Sequence, residues 1–508
     1  MSESDRAAAR TAGSQLALGT AFVLAGQIAF VLAGYGLHFF LSRSLDPTAY
    51  GTYGLILGVL TWIESALSSG WPWAVRKFAA AQPEVAASIL RTGIKRQITV
   101  GVLLFAGSVL LAPFLAHALR DAAISPLLRL AFVDLLFMAL FTVFQAGLNG
   151  LRLFDAQGLA MVVYSAVKLC ASGLLVSAGL SVVGALVGNV IGTIGGWLSE
   201  LWLLRRASGL SLRLALGREA GLSRKTEEAM LRFTVSSVPF TLASYFLTTV
   251  GLVGVKAWVQ DSLQVAYYSA ASSLASAPRL VLVAFWLTLF PHLAGSIARG
   301  DPALTNSYIH AVMRFLALAL VPVVFLVLGT SSQLIVLLFP PNYVEAAPLL
   351  NVLLLSTALH AVYMVCANAI IAEGRTRLAL SIPTALVPLQ LLATWYLTHR
   401  WGAAGAAAAA VSTTGAAALL STGYVLRRFS VQLPWGSLGR ILLAGCVPFL
   451  LTRAYAVHGL MLIPYYLVLG VLYSILLLLL REVTPQEIRQ LRVGLLKTME
   501  RWSAEAST

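Results

Sequence analysis

The stretch VVYSAVKLCASGLL, Val162–Leu175, decides how the chain is read. It has the apolar continuity of a membrane-crossing helix, yet Lys168 stands at its centre. A lysine there costs about 2.5–3.5 kcal/mol on insertion scales, so a partner or a wet cavity has to offset it. The run around it, 158–179, is one of fourteen of similar kind. The chain has 508 residues, 59% hydrophobic and only 11% charged. A soluble domain carries about 25% charged residues. The bilayer therefore replaces a single core, and the expected fold class is an all-α polytopic membrane protein.

Cutting at charges, Pro and Gly clusters gives spans at 15–42, 50–72, 97–116, 127–149, 158–179, 184–204, 233–255, 267–291, 307–329, 346–372, 378–398, 403–426, 438–456 and 460–480. An even number of spans puts both termini on one side. With the termini in the cytoplasm, 26 of the 35 Lys and Arg fall in cytoplasmic segments. That bias sets the orientation and explains the net charge of +15 without nucleic acid. The run after Arg6 and Arg10 is too long for a cleavable signal and is read as the first span. Cys170, Cys366 and Cys446 lie inside apolar runs, which predicts neither a disulfide framework nor a metal site.

The predicted organisation is a cytoplasmic N-terminus (1–14), an N-lobe of six spans (15–204), a cytoplasmic linker (205–232), a C-lobe of six spans (233–428), two further spans (438–480) and an amphipathic tail (481–508). The linker reads as a solvated connection or as a surface for a partner or anionic lipid. The lobes look like repeats. YGTYGL (50–55) matches VAYYSA (265–270), each opening a span after an Asp, Asp46 and Asp261. VVGALVGNVIGTIGGWLSELWLLRR (182–206) matches AAGAAAAAVSTTGAAALLSTGYVLRR (403–428), and NGLR (149–152) matches AEGR (372–375). Both repeats start on the same side, so they are parallel and place a central cavity between the lobes near the midplane.

SRSLDPTAYGTYGL (42–55), LLFPPNYVEAAPLLNVLLL (337–355), AIIAEGRTRLAL (369–380) and HRWGAAGAAAAA (399–410) resemble, in order and spacing, the patterns of the multidrug/oligosaccharidyl-lipid/polysaccharide (MOP) exporter superfamily. Their Wzx-type flippase branch is the most similar. The resemblance covers about residues 10–480. It implies a two-lobed transporter of the bacterial inner membrane that moves undecaprenyl-diphosphate-linked oligosaccharides, O-antigen units among them, between leaflets by alternating access. It also implies contacts with membrane lipids and other polysaccharide-assembly proteins. The superfamily's MATE-like drug/cation antiporters usually have twelve helices, so fourteen spans favour the lipid branch.

Ionisable residues inside spans usually face a bundle interior or watery cavity. Five stand out: Glu64, Asp134, Lys168, Arg279 and Arg314, with His360 as a further titratable group. Lys168, Arg279 and Arg314 are the candidate diphosphate-binding cations. A lysine ammonium suits a phosphate as a point charge and a guanidinium grips its oxygens bidentately. Arg279 follows Pro278, which predicts a kink. The resemblance places a cavity Arg in this span. Each cation also has a plainer reading: Lys168 paired with Asp134, Arg279 with a neighbouring helix, Arg314 snorkelling to the interface near His310. Asp134 and Glu64 are candidates for ion coupling, with H+ or Na+, or for gating. The repeat offset of 215 that aligns Tyr50 with Val265 also aligns Glu64 with Arg279, which suggests an ion pair across the lobes. Arg43 reads as a rim residue. GWPWAVRK (70–77) reads as an interfacial aromatic belt, or as a site where Trp71 or Trp73 stacks on a sugar.

No phosphate-cradling GxxxxGK[ST] pattern and no paired-carboxylate motif in a predicted external loop is present, so the expectation is a secondary transporter and not an enzyme. Carboxylate dominance in the cavity would favour the antiporter reading, cation dominance the lipid-diphosphate one. A lipid-bound assembly scaffold is the reading without transport.

Overall fold

The computed structural model describes residues 3–208, 222–279, 293–297, 299–431 and 434–484, with positions 282 and 285 between. The linker over 209–221, most of the eighth span beyond Arg279 and the tail from 485 lie outside the described residues. The helices are α1 (Glu3–Ser44), α2 (Pro47–Ser69), α3 (Trp71–Ala81), α4 (Ala86–Ala118), α5 (Ile124–Phe132), α6 (Asp134–Gly150), α7 (Phe154–Leu175), α8 (Ser181–Ser208), α9 (Arg224–Gly254), α10 (Ser262–Leu274), α11 (Pro302–Leu338), α12 (Ala347–Ala372), α13 (Thr376–Arg428), α14 (Trp435–Ala454) and α15 (Leu462–Leu479). Among the described residues no strand occurs.

Among the described residues ten helical stretches are long and apolar enough to cross a membrane. Two of them, Phe154–Ala207 and Thr376–Arg428, are 54 and 53 residues, more than twice the length a bilayer needs. Each folds back on itself, at Gly179–Ser181 and at Gly402, where positive φ angles turn the chain. With α2 and the partly described α10 span, about fourteen crossings result, in the polytopic architecture the sequence predicts. We call the face where α1 begins the terminal face and the other the opposite face.

Several boundaries differ from the sequence reading, among them the first, where α1 begins at Glu3 and not 15, and the seventh, where α9 begins at Arg224 and not 233. The second span, drawn to 72 in the sequence, ends at Ser69, and Trp71–Ala81, read there as an interfacial aromatic belt, forms a separate helix started by Pro72. The third begins at Ala86, so Arg91, Lys95 and Arg96 ride on the helix. The fourth breaks at Val133 and restarts with Asp134.

The repeat is visible at the contact between lobes. Asp46 caps α2, its Oδ1 accepting from the backbone N–H of Thr48 (2.9 Å) and Ala49 (3.1 Å). Asp261 does the same for α10, accepting from Leu263 N–H at 2.9 Å. Such caps satisfy N–H groups that a helix start leaves unpaired. The two helices then run side by side. A Cβ at Gly51 would lie 2.9 Å from Ala266 N, and one at Gly54 would meet Ser269 Oγ. Both pairs are 215 residues apart, the repeat offset. Equivalent positions that touch must lie beside the pseudo-symmetry axis.

Further contacts join the lobes. On the terminal face Arg96 bonds Glu227 at 2.6 Å and Ser237 Oγ donates to Ser69 O at 2.7 Å. On the opposite face Lys256 pairs with Asp121 at 2.7 Å. There Arg43 also donates to Leu337 O at 3.1 Å and to Leu338 O, capping the C-terminal carbonyls of α11. The rim reading of Arg43 thus becomes an inter-lobe contact. The helices α14 and α15 pack on α11 as an appendix to the C-lobe.

Candidate functional site

The structure sorts the predicted charges into two poles and one peripheral ion pair. The first pole lies within the N-lobe. Asp134 heads α6 at the break after Val133, is fully buried, and neither of its carboxyl oxygens closes a hydrogen bond. The polar groups within electrostatic reach are Glu64 from α2, Lys168 from α7, and Asn189 and Thr193 from α8. Glu64 is half-buried and lies within electrostatic reach of Asp134 in turn, without a hydrogen bond between them. Two carboxyls that meet in an apolar interior do not both ionise, so this pair suits a shared proton or a bound cation.

Lys168 lies beside that pair, acting on Asp134, Glu64, His38 and Tyr53. Its Nζ is 3.4 Å from Tyr164 Oη and 5.6 Å from that ring's centroid, in cation–π range. Among the described residues no carboxylate comes within ion-pair distance of it, so the predicted Lys168–Asp134 pair is not closed in this conformation. Tyr53 presents a buried hydroxyl with no partner, and His38 Nδ1 meets Tyr50 Oη at 3.0 Å.

The position of Lys168 comes from a glycine ladder. Gly184, Gly188, Gly192 and Gly196 recur every four residues along one face of α8. They meet Leu175, Ser172, Lys168 and Tyr164 of α7 in antiparallel register. Small residues at this spacing let helix backbones approach closely. At Gly192 an added Cβ would lie 2.5 Å from Lys168 Cβ and 2.8 Å from its Cα.

The second pole belongs to the C-lobe. Helix α10 stops at Leu274, four residues before the buried Pro278, whose ring cannot fit against a helical carbonyl at that spacing. The turn that follows swings Arg279 into an exposed position, 5.9 Å from the centroid of Tyr245. His360 and Tyr35 lie within its electrostatic reach. His360 Nδ1 is buried without a partner, and Tyr35 of α1 bonds Ser276 at 3.2 Å, bridging the lobes. The proline break explains why the predicted Glu64–Arg279 pair is absent here. Without it α10 would have carried Arg279 along α2 in the Gly51–Ala266 register. Instead Glu64 turns to Asp134 and Arg279 to the aromatic groups.

Arg314 departs from the predicted diphosphate-binding set. Its Nε bonds Glu482 at 2.7 Å, and Arg440 bonds the same carboxylate at 2.8 Å. Glu482 is buried, so this cluster ties α11, α14 and the residues after α15 together. A guanidinium already held by a carboxylate has little left to offer a phosphate. Trp71 is only 4% exposed, packed with Val75, Phe144 and Met230, and has no open face for a sugar in this conformation. Trp73 is half-buried.

Sequence reasoning missed the neutral members of the first pole, His38, Tyr53, Tyr164, Asn189 and Thr193, none of which carries a fixed charge to mark it. It also missed Glu200, which falls inside the predicted sixth span but near its end. The glycine ladder was readable in the stretch quoted for the repeat.

The comparisons with known proteins agree with this architecture. The fold matches a lipid II flippase, MurJ, in an inward closed conformation, with a TM-score of 0.69 at 14% identity over 90% of this chain and 97% of that one. It also matches an inward-facing multidrug resistance MATE family transporter of the MOP superfamily, with a TM-score of 0.63 at 16% identity over 78% and 94%. A eukaryotic MATE transporter matches at 0.54 and 14% identity, over 85% and 97%. No curated protein sequence matches. The profile of a family described as Polysaccharide biosynthesis protein matches residues 16–297, more than half of the chain. By that match, on a scaffold with the MOP fold, the chain belongs to the polysaccharide biosynthesis protein family.

Proposed function

We propose that this protein is a flippase of the Wzx type, which carries an undecaprenyl-diphosphate-linked oligosaccharide from the inner to the outer leaflet of the cytoplasmic membrane. The observation that carries this reading is the pair of cations, Lys168 in the N-lobe and Arg279 in the C-lobe. Among the described residues neither is neutralised by a carboxylate at ion-pair distance. A diphosphate engaging both would supply the counter-charge that the half-buried Lys168 lacks, give the exposed Arg279 a bidentate partner and draw the lobes together. Family membership and a fold shared with a lipid II flippase support the substrate class. The terminal face is cytoplasmic on this reading, as the distribution of Lys and Arg requires.

Transport proceeds by alternating access. The seam between α2 and α10 is the pivot, and the contacts on the two faces open in turn. The Glu64–Asp134 pair couples the cycle to H+ or Na+, because a carboxyl pair changes its occupancy when water reaches it. That same pair favours a second reading, a MATE-like antiporter in which it recognises a cationic drug.

Reconstitution in liposomes separates the two. Wild type, Lys168→Ala and Arg279→Ala are compared for outward movement of a labelled undecaprenyl-diphosphate glycan. The flippase reading expects movement in wild type and loss in both folded variants. Normal movement in both variants returns the cations to structural roles. Drug export without glycan movement by wild type replaces this reading with the antiporter.

A further inference from the structure

Glu200 lies on α8, and the mechanism above does not use it. Its side chain is fully buried, and neither carboxyl oxygen has a hydrogen-bond partner. Three residues earlier on the same helix, Trp197 has a buried Nε1 without a partner. Residues three apart are neighbours on a helix surface, so an unused donor and an unused acceptor stand side by side without meeting.

Among the described residues no counter-charge acts on Glu200. The helices packed on α8 are α2, α5, α6 and α7. Their charged and titratable groups include Glu64, Tyr50 and Tyr53 on α2, Arg129 on α5, Asp134 on α6, and Asp155, Tyr164, Lys168 and Cys170 on α7. None acts on Glu200, and neither do Arg205 and Arg206 of its own helix. A carboxylate without donor or cation is not sustained in an apolar interior, so here the group is the neutral acid.

Its place on the helix gives the acid a use. Asn189, Thr193, Gly196 and Glu200 follow one another at helical spacing along one stripe of α8. Asn189 and Thr193 stand at the Glu64–Asp134 pair, while Arg205 and Arg206 end the helix at the terminal face. At 1.5 Å per residue Glu200 lies about 10 Å from Thr193 and about 7 Å from Arg205. It is thus an acid between the terminal face and the carboxyl pair.

We propose that Glu200 is a second proton-carrying site of the N-lobe, with Trp197 as the donor that receives its carboxylate. The inference rests on the alternating-access reading. When the terminal face opens and water reaches α8, the O–H bond of Glu200 breaks and the proton passes to water. The carboxylate left behind accepts Nε1–H of Trp197. On return the carboxylate takes a proton that passes through water along the Asn189–Thr193 stripe from the Glu64–Asp134 pair, which is loaded from the opposite side, and the indole is released.

The test follows the indole directly. The full chain in nanodiscs, with 15N-labelled tryptophan, is titrated from about pH 5 to about pH 9, a range wide enough for a buried carboxyl. Trp197→Phe assigns the signal. The expected result is an indole N–H resonance of Trp197 that moves with pH in wild type and stays fixed in Glu200→Gln, which keeps the size of the neutral acid. In vesicles with an imposed pH gradient, Glu200→Gln should bind the labelled diphosphate glycan as wild type does. Its transport should lose the several-fold response to the gradient. A Trp197 signal that ignores pH in wild type overturns the proposal, as does a full gradient response in Glu200→Gln. If wild type moves no glycan, the flippase reading fails, while the indole titration still decides the case for Glu200.

Discussion

Replacing Gly192 by alanine puts the packing that positions Lys168 to a direct test. The new Cβ would lie 2.5 Å from Lys168 Cβ, 2.8 Å from its Cα and 3.2 Å from its Cγ. Carbon atoms in contact sit about 3.5–4.0 Å apart, so α7 and α8 must part by about 1 Å. Two of the three clashing atoms belong to the base of the lysine, so no rotamer change relieves them. Overpacking of this kind costs about 1–3 kcal/mol. A displacement of about 1 Å at a binding group can cost about a hundredfold in rate. Gly173, on the same hairpin, supplies the control, because its added Cβ meets nothing within 4 Å. Thermal unfolding in detergent and glycan movement in liposomes are measured for both variants. Gly192→Ala should unfold at lower temperature and transport far more slowly, while Gly173→Ala should match wild type. If the two alanine variants behave alike, the glycine ladder does not position Lys168.

Three other outcomes follow from contacts outside the cavity. Glu482→Ala frees two partly exposed guanidiniums that water can reach, so its cost should fall near the low end of the range for breaking a buried pair, about 3 kcal/mol by unfolding. Burial pushes the Glu482 carboxyl up, but the hydrogen bonds from Arg314, Arg440 and Ser437 outweigh it and hold it below the usual range. Its contribution is therefore complete above the ordinary glutamate value of about 4.3 and disappears as pH falls through the lower folded value; a melting series in acid should show this loss in wild type and not in Glu482→Ala. Asp46→Ala and Asp261→Ala should each cost about 1 kcal/mol as lost helix caps, with Asp46 the costlier because it accepts from two backbone N–H groups and Asp261 from one. Asp121→Asn should weaken closure of the opposite face, raising the labelling rate of a cysteine placed at Ser276 by a reagent added from that side; an unchanged rate would show that Lys256–Asp121 does not hold the face shut.

The elements legible in the sequence are those set by local chemistry. Asp46 and Asp261 announced helix starts because a capping carboxylate acts within three residues. The offset of 215 was readable because the repeat keeps its spacing, and Gly51–Ala266 and Gly54–Ser269 show that offset as contact. What could not be read was which charge meets which. Lys168 and Asp134 lie on spans predicted to be adjacent, but whether an ammonium reaches a carboxylate depends on helix rotation, which spacing does not encode. Glu64 and Arg279 align by the repeat, yet the proline break at 275–278 destroys their equivalence. Arg314 looked like a cavity cation because its partner, Glu482, lies 168 residues away. Trp71 looked interfacial because a local window shows the indole and not the helices that cover it.

The two faces are not held shut with equal strength. Arg96–Glu227, on the terminal face, has side chains 57% and 34% exposed. A pair so open to water contributes about 0–1 kcal/mol and weakens with salt. Lys256–Asp121, on the opposite face, is 12% and 28% exposed, and water screens it less. On the same face Tyr50, Phe339, Tyr343 and Tyr267 form a chain of edge-on and tilted ring contacts, and Arg43 caps α11 from the other lobe. The seam between α2 and α10, at Gly51–Ala266 and Gly54–Ser269, lies within two turns of the helix starts on the opposite face and is made of small residues in close approach, so a rotation about it opens the terminal face with little side-chain rearrangement. A rotation about it that opens the terminal face breaks a weak, solvated ion pair and a few hydrogen bonds. One that opens the opposite face must separate an aromatic cluster, a shielded ion pair and a helix cap. The empty protein should therefore favour the state closed on the opposite face, and the free energy to open that face must come from what binds. A ligand that engages Lys168 on one lobe and Arg279 on the other supplies it only if it binds the second state more tightly than the first.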